Sequence, residues 1–101
     1  FGADYVMLPV SLVVDPENRP EPDVIVTRRK TQDYLISGNP TASEVRLIIE
    51  ISDTALWRDR NTKAQLYNTA NIPDYWVLDI NNRRLYVYRQ PSSDGYADVQ
   101  E

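Results

Sequence analysis

The sequence contains no cysteine and no histidine. Without cysteine the protein has no disulfide framework, no thiolate nucleophile and no cysteine-based zinc site, which favours the cytoplasm as its compartment. Without histidine it lacks the usual general base and the commonest transition-metal ligand. Any metal site must therefore use hard oxygen ligands, which favour Mg²⁺ or Mn²⁺.

Long apolar runs are also missing. No run approaches the length of a membrane span, and the first residues lack the basic start and apolar stretch of a signal peptide. We therefore expect a cytoplasmic protein that is not exported. Because the chain begins at Phe1 instead of methionine, we expect residues 1–101 to be one domain that forms the C-terminal part of a longer chain.

The net charge of -4 argues mildly against strong nonspecific binding to nucleic acid, which depends on lysine and arginine. A local basic patch can nevertheless bind phosphate whatever the total charge. The candidate patch consists of Arg28, Arg29 and Lys30, together with Arg83 and Arg84. The alternative is that these residues simply lie in solvated loops or at strand ends.

Hydrophobic periodicity predicts several strands and one long helix. The strands are expected at residues 6–14, 24–27, 45–51, 75–79 and 85–89, with another short one near Tyr96, and the helix at residues 59–70. Asn71 and Pro73 are expected to end the helix, since asparagine tolerates the left-handed conformation. These elements predict an α/β or α+β fold in which a mixed sheet is flanked by helices.

Two asparagines, Asn81 and Asn82, are suited to a tight turn, so residues 75–89 are predicted to form a hairpin. We expect this hairpin to contribute to the core or to a homodimer interface, and not to chemistry. Its apolar residues are Trp76, Val77, Leu78, Leu85 and Val87. The second tryptophan, Trp57, is likewise interpreted as a core or subunit contact.

Two acidic residues stand out at strand ends. Glu50 lies in the most apolar strand, where a carboxylate must be paired, protonated or metal-bound unless it emerges into solvent. Asp23 follows a proline at the start of another strand, a position typical of turns. If these two strands are antiparallel neighbours, the start of one lies beside the end of the other, and Asp23 comes close to Glu50.

The predicted helix has two charged residues on its apolar side. Steps of three and four place on one stripe Asp59, Lys63, Leu66, Tyr67 and Ala70. Asp59 and Lys63 can simply pair with each other, which is worth roughly a few tenths of a kcal/mol when exposed. On an apolar face they should be partly buried, which favours a functional site. Tyr67 is interpreted as packing, with a hydrogen bond to a phosphate as the alternative.

The ordered combination of motifs resembles the Uma2 family of proposed restriction endonucleases. The motifs are PEPDVIV at residues 20–26 and EISDTALWRDRNTKAQLYNTANIPDYWVLDINNRRLYVYR at residues 50–89. The resemblance implies a PD-(D/E)xK nuclease fold that uses magnesium and acts on DNA. By position, it implies that Asp23 and Glu50 hold the metal and that Lys63 positions or activates the attacking water.

The chain departs from the usual nuclease pattern at one important position. The lysine normally stands two residues after the glutamate, where this sequence has Ser52, and the resemblance implies that Lys63 on the following helix replaces it. Two smaller departures from the family are Asn71 in place of glycine and Asp74 in place of glutamate. Neither affects the proposed site residues.

The sequence thus supports a leading hypothesis and two alternatives. The leading hypothesis is a magnesium-dependent DNA endonuclease. The first alternative is a catalytically silent, nuclease-like module that binds DNA or a protein partner. The second is a structural subunit whose apolar strands and exposed tryptophan form a homodimer.

Overall fold

The computed structural model of this protein describes residues 5–7, 11–12, 14, 20–30, 38 and 40–101. Its strands are β1 (Val6–Met7), β2 (Val24–Thr27), β3 (Val45–Ser52), β4 (Asp74–Asp79), β5 (Arg84–Arg89) and β6 (Asp98–Gln100). Helices α1 (Leu56–Arg60) and α2 (Thr62–Thr69) lie between β3 and β4 in the chain, and a 3-10 turn (Ala42–Glu44) precedes β3.

The six described strands form one sheet in the order β1-β2-β3-β4-β5-β6. Every neighbouring pair is antiparallel except β3 and β4, which are parallel. A parallel pair cannot be joined by a tight turn, so it needs a crossover connection, and α1 and α2 supply it. The predicted fold class, a mixed sheet combined with helices, is confirmed.

The strand predicted at residues 6–14 is shorter in the structure. Strand β1 covers Val6–Met7, whereas Ser11, Leu12 and Val14 are not in a strand, and residues 8–10 and 13 lie outside the described residues. The backbone N–H of Leu12 donates a hydrogen bond to the carbonyl oxygen of Pro20 at 2.8 Å. The backbone of Leu12 thus bonds to the segment that leads into β2 and not to a neighbouring strand. Its side chain is fully buried in the core.

The helix predicted at residues 59–70 begins earlier and is divided in two at Asn61. The carbonyl oxygen of Trp57 accepts hydrogen bonds from both the backbone N–H of Asn61 at 2.9 Å and its side chain at 2.7 Å. The break falls at Asn61 itself, where φ is -116° and ψ is -74°. Asn71, with φ of 60°, adopts the left-handed conformation after α2, as predicted for the helix stop. No helix in the described part of the chain is long and apolar enough to cross a membrane.

One face of the sheet packs against the helices and holds the core. Directly paired residues on neighbouring strands point to the same face, so a row of paired side chains crosses the sheet there. This row consists of Ile25, Ile48, Tyr75 and Tyr88. From α2, the Tyr67 ring packs against Tyr75 with 4.9 Å between ring centroids. Packing, the preferred interpretation of Tyr67, is therefore its role in the fold.

The hairpin formed by β4 and β5 divides its apolar residues between the two faces. Of the five apolar residues predicted to form its packing surface, Val77 alone belongs to the described core cluster. The others lie on the opposite face and are half-buried or exposed; they are Trp76, Leu78, Leu85 and Val87. Tyrosines supply the remaining core contacts of the hairpin, namely Tyr75, Tyr86 and Tyr88. The homodimer stays a prediction.

Trp57 lies on the surface of α1. Trp57 is 73% exposed, so its interpretation as a core residue is wrong, while the subunit contact stays a prediction. Trp57 and Asp59 are two residues apart on a helix, so their side chains lie on opposite sides of α1. Asp59 is on the buried side, and Trp57 therefore faces outward.

The two faces of β4 provide a test of this packing. Val77 is fully buried on the helix-facing side, whereas its neighbour Leu78 is 36% exposed on the other side. Val77→Ala should lower the free energy of unfolding by about 2 kcal/mol through lost burial and a residual cavity. Leu78→Ala, the matched control, should cost less than about 1 kcal/mol although it removes more atoms. Urea unfolding measures both, and a larger loss for Leu78→Ala would contradict the assignment of the core face.

Candidate active site

The predicted site residues on β2 and β3 lie side by side in the structure. Strand β2 runs antiparallel to β3 with Val24 opposite Ile49, which places Asp23 beside Glu50 as the sequence predicted. The backbone N–H of Asp23 donates to Glu50 Oε1 at 3.2 Å. In return, Asp23 Oδ2 accepts a hydrogen bond from the backbone N–H of Ile51 at 2.8 Å. The two acidic residues are therefore held in a fixed relation by the sheet.

Lys63 reaches the same place from helix α2. Its ammonium donates a hydrogen bond to Glu50 Oε2 at 2.6 Å, and Nζ lies 3.4 Å from Asp59 Oδ1. The sequence left open whether Lys63 pairs with Asp59 or is directed to the sheet edge. The structure shows both contacts, and the shorter one is to Glu50. Asp23, Glu50 and Lys63 are thus brought together.

Asp59 is the residue of this cluster that sequence reasoning did not assign to the site. It is 3% exposed, although aspartate is rarely buried without a partner. Its backbone carbonyl oxygen accepts a buried hydrogen bond from the Tyr75 hydroxyl at 2.7 Å, which ties α1 to β4. The signal in the sequence was its position four residues before Lys63 on an apolar stripe. The spacing of four residues predicts that Asp59 lies on the same side of the helix as Lys63, but it does not predict how close Asp59 comes to Glu50 on β3.

Burial dominates the electrostatics of Glu50. The carboxyl group is in a residue that is 2% exposed, and this burial raises its pKa despite the hydrogen bonds from Lys63 and from the backbone of Asp23. Burial by itself lowers the pKa of Lys63, but the hydrogen bond to Glu50 and the nearby carboxylates outweigh it and raise the pKa above its usual value. The ammonium therefore stays charged at neutral pH.

Four buried side-chain polar atoms in the described part of the chain have no hydrogen-bond partner. Three of them belong to residues on the helix-facing side, as Glu50 does, namely Ser52 Oγ, Asp59 Oδ1 and Tyr67 Oη, whereas Trp76 Nε1 lies on the opposite face of the sheet. Ser52 follows Glu50 by two residues on β3 and faces the same side. Burial, with the charges of Glu50 and Asp59, raises the pKa of Tyr67, so its hydroxyl remains protonated. Unsatisfied buried groups are unusual in native proteins and are commonest at functional sites.

The site offers hard oxygen ligands of the kind that Mg²⁺ prefers. One or two carboxylates, completed by waters and substrate phosphates, are the usual protein ligands of this ion, and Asp23 and Glu50 fit that arrangement. Within the described residues, no group of three or more acidic side chains converges as a metal cluster. Because Glu50 Oε2 accepts from Lys63, an ion bound to this oxygen would need the ammonium to move aside.

The basic residues do not form one patch. Thr27 pairs with the start of β3, whereas Arg84 pairs with Asp79, which in turn pairs with the end of β3. The segment 28–30 therefore lies near the start of β3 and the pair Arg83–Arg84 near its end. These two ends of the strand are about 20 Å apart at roughly 3.3 Å per residue. Only Arg83 and Arg84 share the edge with Glu50, and Arg84 pairs with Glu101 at 2.8 Å. The prediction of a single combined patch is wrong, because strand directions separate its parts.

The raised pKa of Glu50 predicts a measurable dependence of stability on pH. A carboxyl group with a higher pKa in the folded protein stabilises the fold while it is protonated, and this contribution is lost as pH rises through the folded pKa. Relative to Glu50→Gln, which cannot ionise, the wild type should lose free energy of unfolding between about pH 4 and about pH 7. Lys63 does not titrate in this window, because its contacts with Glu50 and Asp59 raise its pKa above the already high value of an ordinary lysine.

Urea unfolding of both proteins at both pH values measures this difference. The substitution also changes the hydrogen bond to Lys63, but that effect is nearly constant across the window, so the change with pH isolates the ionisation of Glu50. A wild type that gains stability relative to Glu50→Gln as pH rises would contradict the raised pKa of Glu50 and would show that the contact with Lys63 outweighs burial.

Comparison with known protein families found one family whose sequence model matches the chain. The sequence model of the Uma2 family, which is described as "Putative restriction endonuclease", matches residues 3–101. The match includes Asp23, Glu50, Asp59 and Lys63, and it confirms the resemblance seen in the motifs. A comparison with curated proteins found no match.

Proposed function

The chain belongs to the Uma2 family, and from this premise we propose that it is a magnesium-dependent DNA endonuclease. Asp23 and Glu50 hold the metal ion, and Lys63 acts on the attacking water or on the phosphate. The observation that supports this proposal best is the convergence on Glu50: Asp23 N lies 3.2 Å from Oε1 and Lys63 Nζ lies 2.6 Å from Oε2. Mn²⁺ has similar ligand preferences and should substitute for Mg²⁺.

The residue types present suit the cleavage of a phosphodiester bond. The transition state gathers negative charge, and a bound divalent ion would neutralise part of it and lower the pKa of a coordinated water. The Lys63 ammonium is a compact donor on a flexible stem, so it can orient that water or stabilise a phosphate oxygen. No step requires histidine or cysteine, which the chain lacks.

The position of Lys63 follows from the geometry of β3. Glu50 and Ser52 are two residues apart, so their side chains point to the same face of the sheet, toward the helices. An ammonium can therefore reach Glu50 from a lysine at position 52 of the strand or from a lysine on the facing helix. Ser52 is 1% exposed, and in this chain α2 provides the lysine, Lys63, from above the strand.

A catalytically silent module that binds DNA or a protein partner is the second candidate. It is favoured by the closed ion pair, because Lys63 engages the Glu50 oxygen that a metal ion would use. In that case the pair is purely structural, and its loss reduces stability without affecting any cleavage.

One experiment separates the two candidates. The chain is incubated with supercoiled plasmid in the presence of Mg²⁺, of Mn²⁺ or of a chelator, beside Glu50→Gln. The nuclease proposal predicts nicked or linear product with either metal, none with the chelator, and none with Glu50→Gln. Titration calorimetry should show weaker Mg²⁺ binding by Glu50→Gln. Absence of cleavage in every condition, together with equal Mg²⁺ affinity, supports the silent module.

Substitution of Lys63 tests its proposed role. Lys63→Ala should reduce cleavage by about 100-fold or more without weakening Mg²⁺ binding, since an ammonium cannot ligate a cation. Lys30→Ala is the matched control, because Lys30 is the only other lysine of the chain and is exposed at the opposite edge of the sheet. Ser52→Lys combined with Lys63→Ala should recover part of the activity. Unchanged cleavage by Lys63→Ala would refute the assignment.

A further inference from the structure

The charges around Glu50 are not balanced. Glu50 is 2% exposed and Asp59 is 3% exposed, and Asp23 adjoins them at the end of the sheet. Among the described residues, a single ammonium, that of Lys63, lies within ion-pair distance of both buried carboxyl groups. Buried carboxylates are costly unless a cation compensates each of them. Two buried acids thus share one basic partner.

The ammonium is not shared equally. It is 2.6 Å from Glu50 Oε2 but 3.4 Å from Asp59 Oδ1, and the latter oxygen has no hydrogen-bond partner within the described residues. A charge-assisted N–H···O bond is about 2.8 Å long, so a displacement of less than about 1 Å would transfer the ammonium to Asp59. The lysine stem has the rotational freedom that such a displacement requires.

Asp59 itself is held in place. The Tyr75 hydroxyl donates a hydrogen bond to the backbone carbonyl of Asp59 at 2.7 Å in the buried interior. The Tyr75 ring in turn packs between the rings of Tyr67 and Tyr88. Helix α1 is thereby fixed to β4 at the residue whose side chain faces Lys63. The ammonium can therefore move between two carboxyl groups whose backbones are fixed, that of Glu50 in the sheet and that of Asp59 by Tyr75.

We propose that Asp59 is a positioning residue that takes over the Lys63 ammonium when a divalent ion binds Glu50. This inference rests on the proposed function. An ammonium and a metal ion repel each other at one carboxylate oxygen, and Asp59 offers the displaced ammonium a second partner close to the reacting phosphate. Without Asp59, the ammonium competes with the ion for Glu50 or turns away from the site.

A double-mutant cycle tests the coupling. Mg²⁺ affinity is measured by calorimetry for the wild type, Asp59→Asn, Lys63→Met and the double variant, at one pH and ionic strength. Asp59→Asn should weaken Mg²⁺ binding about tenfold when Lys63 is present and less than about twofold in the Lys63→Met background. If Asp59 only attracted the ion by its charge, its removal would matter more without the ammonium, and that result overturns the proposal.

Nuclear magnetic resonance of the wild type provides a second measurement that needs no variant to fold. The chain has two lysines, Lys30 and Lys63, so two side-chain ammonium signals are expected. On addition of Mg²⁺, the Lys63 signal should shift and remain as ordered as before, while that of the exposed Lys30 should stay unchanged. A Lys63 side chain that becomes as mobile as Lys30 would show release into solvent and would exclude transfer to Asp59.

The outcomes separate this inference from the proposed function. If the wild type binds Mg²⁺ and cleaves DNA but the cycle shows equal effects of Asp59→Asn in both backgrounds, the positioning role fails and the nuclease proposal stands. If the wild type binds no Mg²⁺ at all, the metal-dependent function fails, and the transfer of the ammonium fails with it.

Discussion

The ion pair between Glu50 and Lys63 is the contact around which the candidate site is organised. Its two partners come from a strand and from the helix packed over that strand, so the pair joins the two layers of the fold at one buried point. Loss of either partner would leave an uncompensated charge in the interior, which costs about 3–5 kcal/mol in other proteins. Asp23 and Asp59 adjoin this pair and are held by different strands. Asp23 Oδ2 accepts a hydrogen bond from the backbone N–H of Ile51 on β3, and the backbone carbonyl of Asp59 accepts one from the Tyr75 hydroxyl on β4.

The tyrosine layer explains how a small core can support a charged site. Tyr67, Tyr75 and Tyr88 fill the space between sheet and helices with rings, so the core gains large apolar area from few residues. The hydroxyls bond to nearby backbone or side-chain groups where geometry allows, as from Tyr75 to Asp59. Tyr67 lies on α2 and packs against Tyr75, so the residues that stabilise the domain also fix the helix from which Lys63 extends.

Strand patterns and residue types predicted the parts of the site that depend on the sheet. Alternation along β3, with the start of β2 beside its end, was sufficient to place Asp23 next to Glu50. The stop at Asn71 followed from its tolerance of a positive φ. The division at Asn61 was not predictable, because it depends on the backbone angles of one residue, φ of -116° and ψ of -74°, which periodicity does not contain. The burial of Asp59 and the separation of the basic residues required distances and strand directions that periodicity does not contain.

The crossover between β3 and β4 has a consequence for how this domain can vary. Lys63 lies on the same connection that joins the two parallel strands, and a residue inserted into a helix ahead of Lys63 would rotate Lys63 by about 100° and shift it by about 1.5 Å relative to the preceding turn. The ammonium would then leave the face that meets Glu50. The turn between β4 and β5 has no such constraint, since it lies outside the path from strand to helix. Length changes accumulated over evolution should therefore fall in that turn, while the spacing of 13 residues between Glu50 and Lys63 stays fixed.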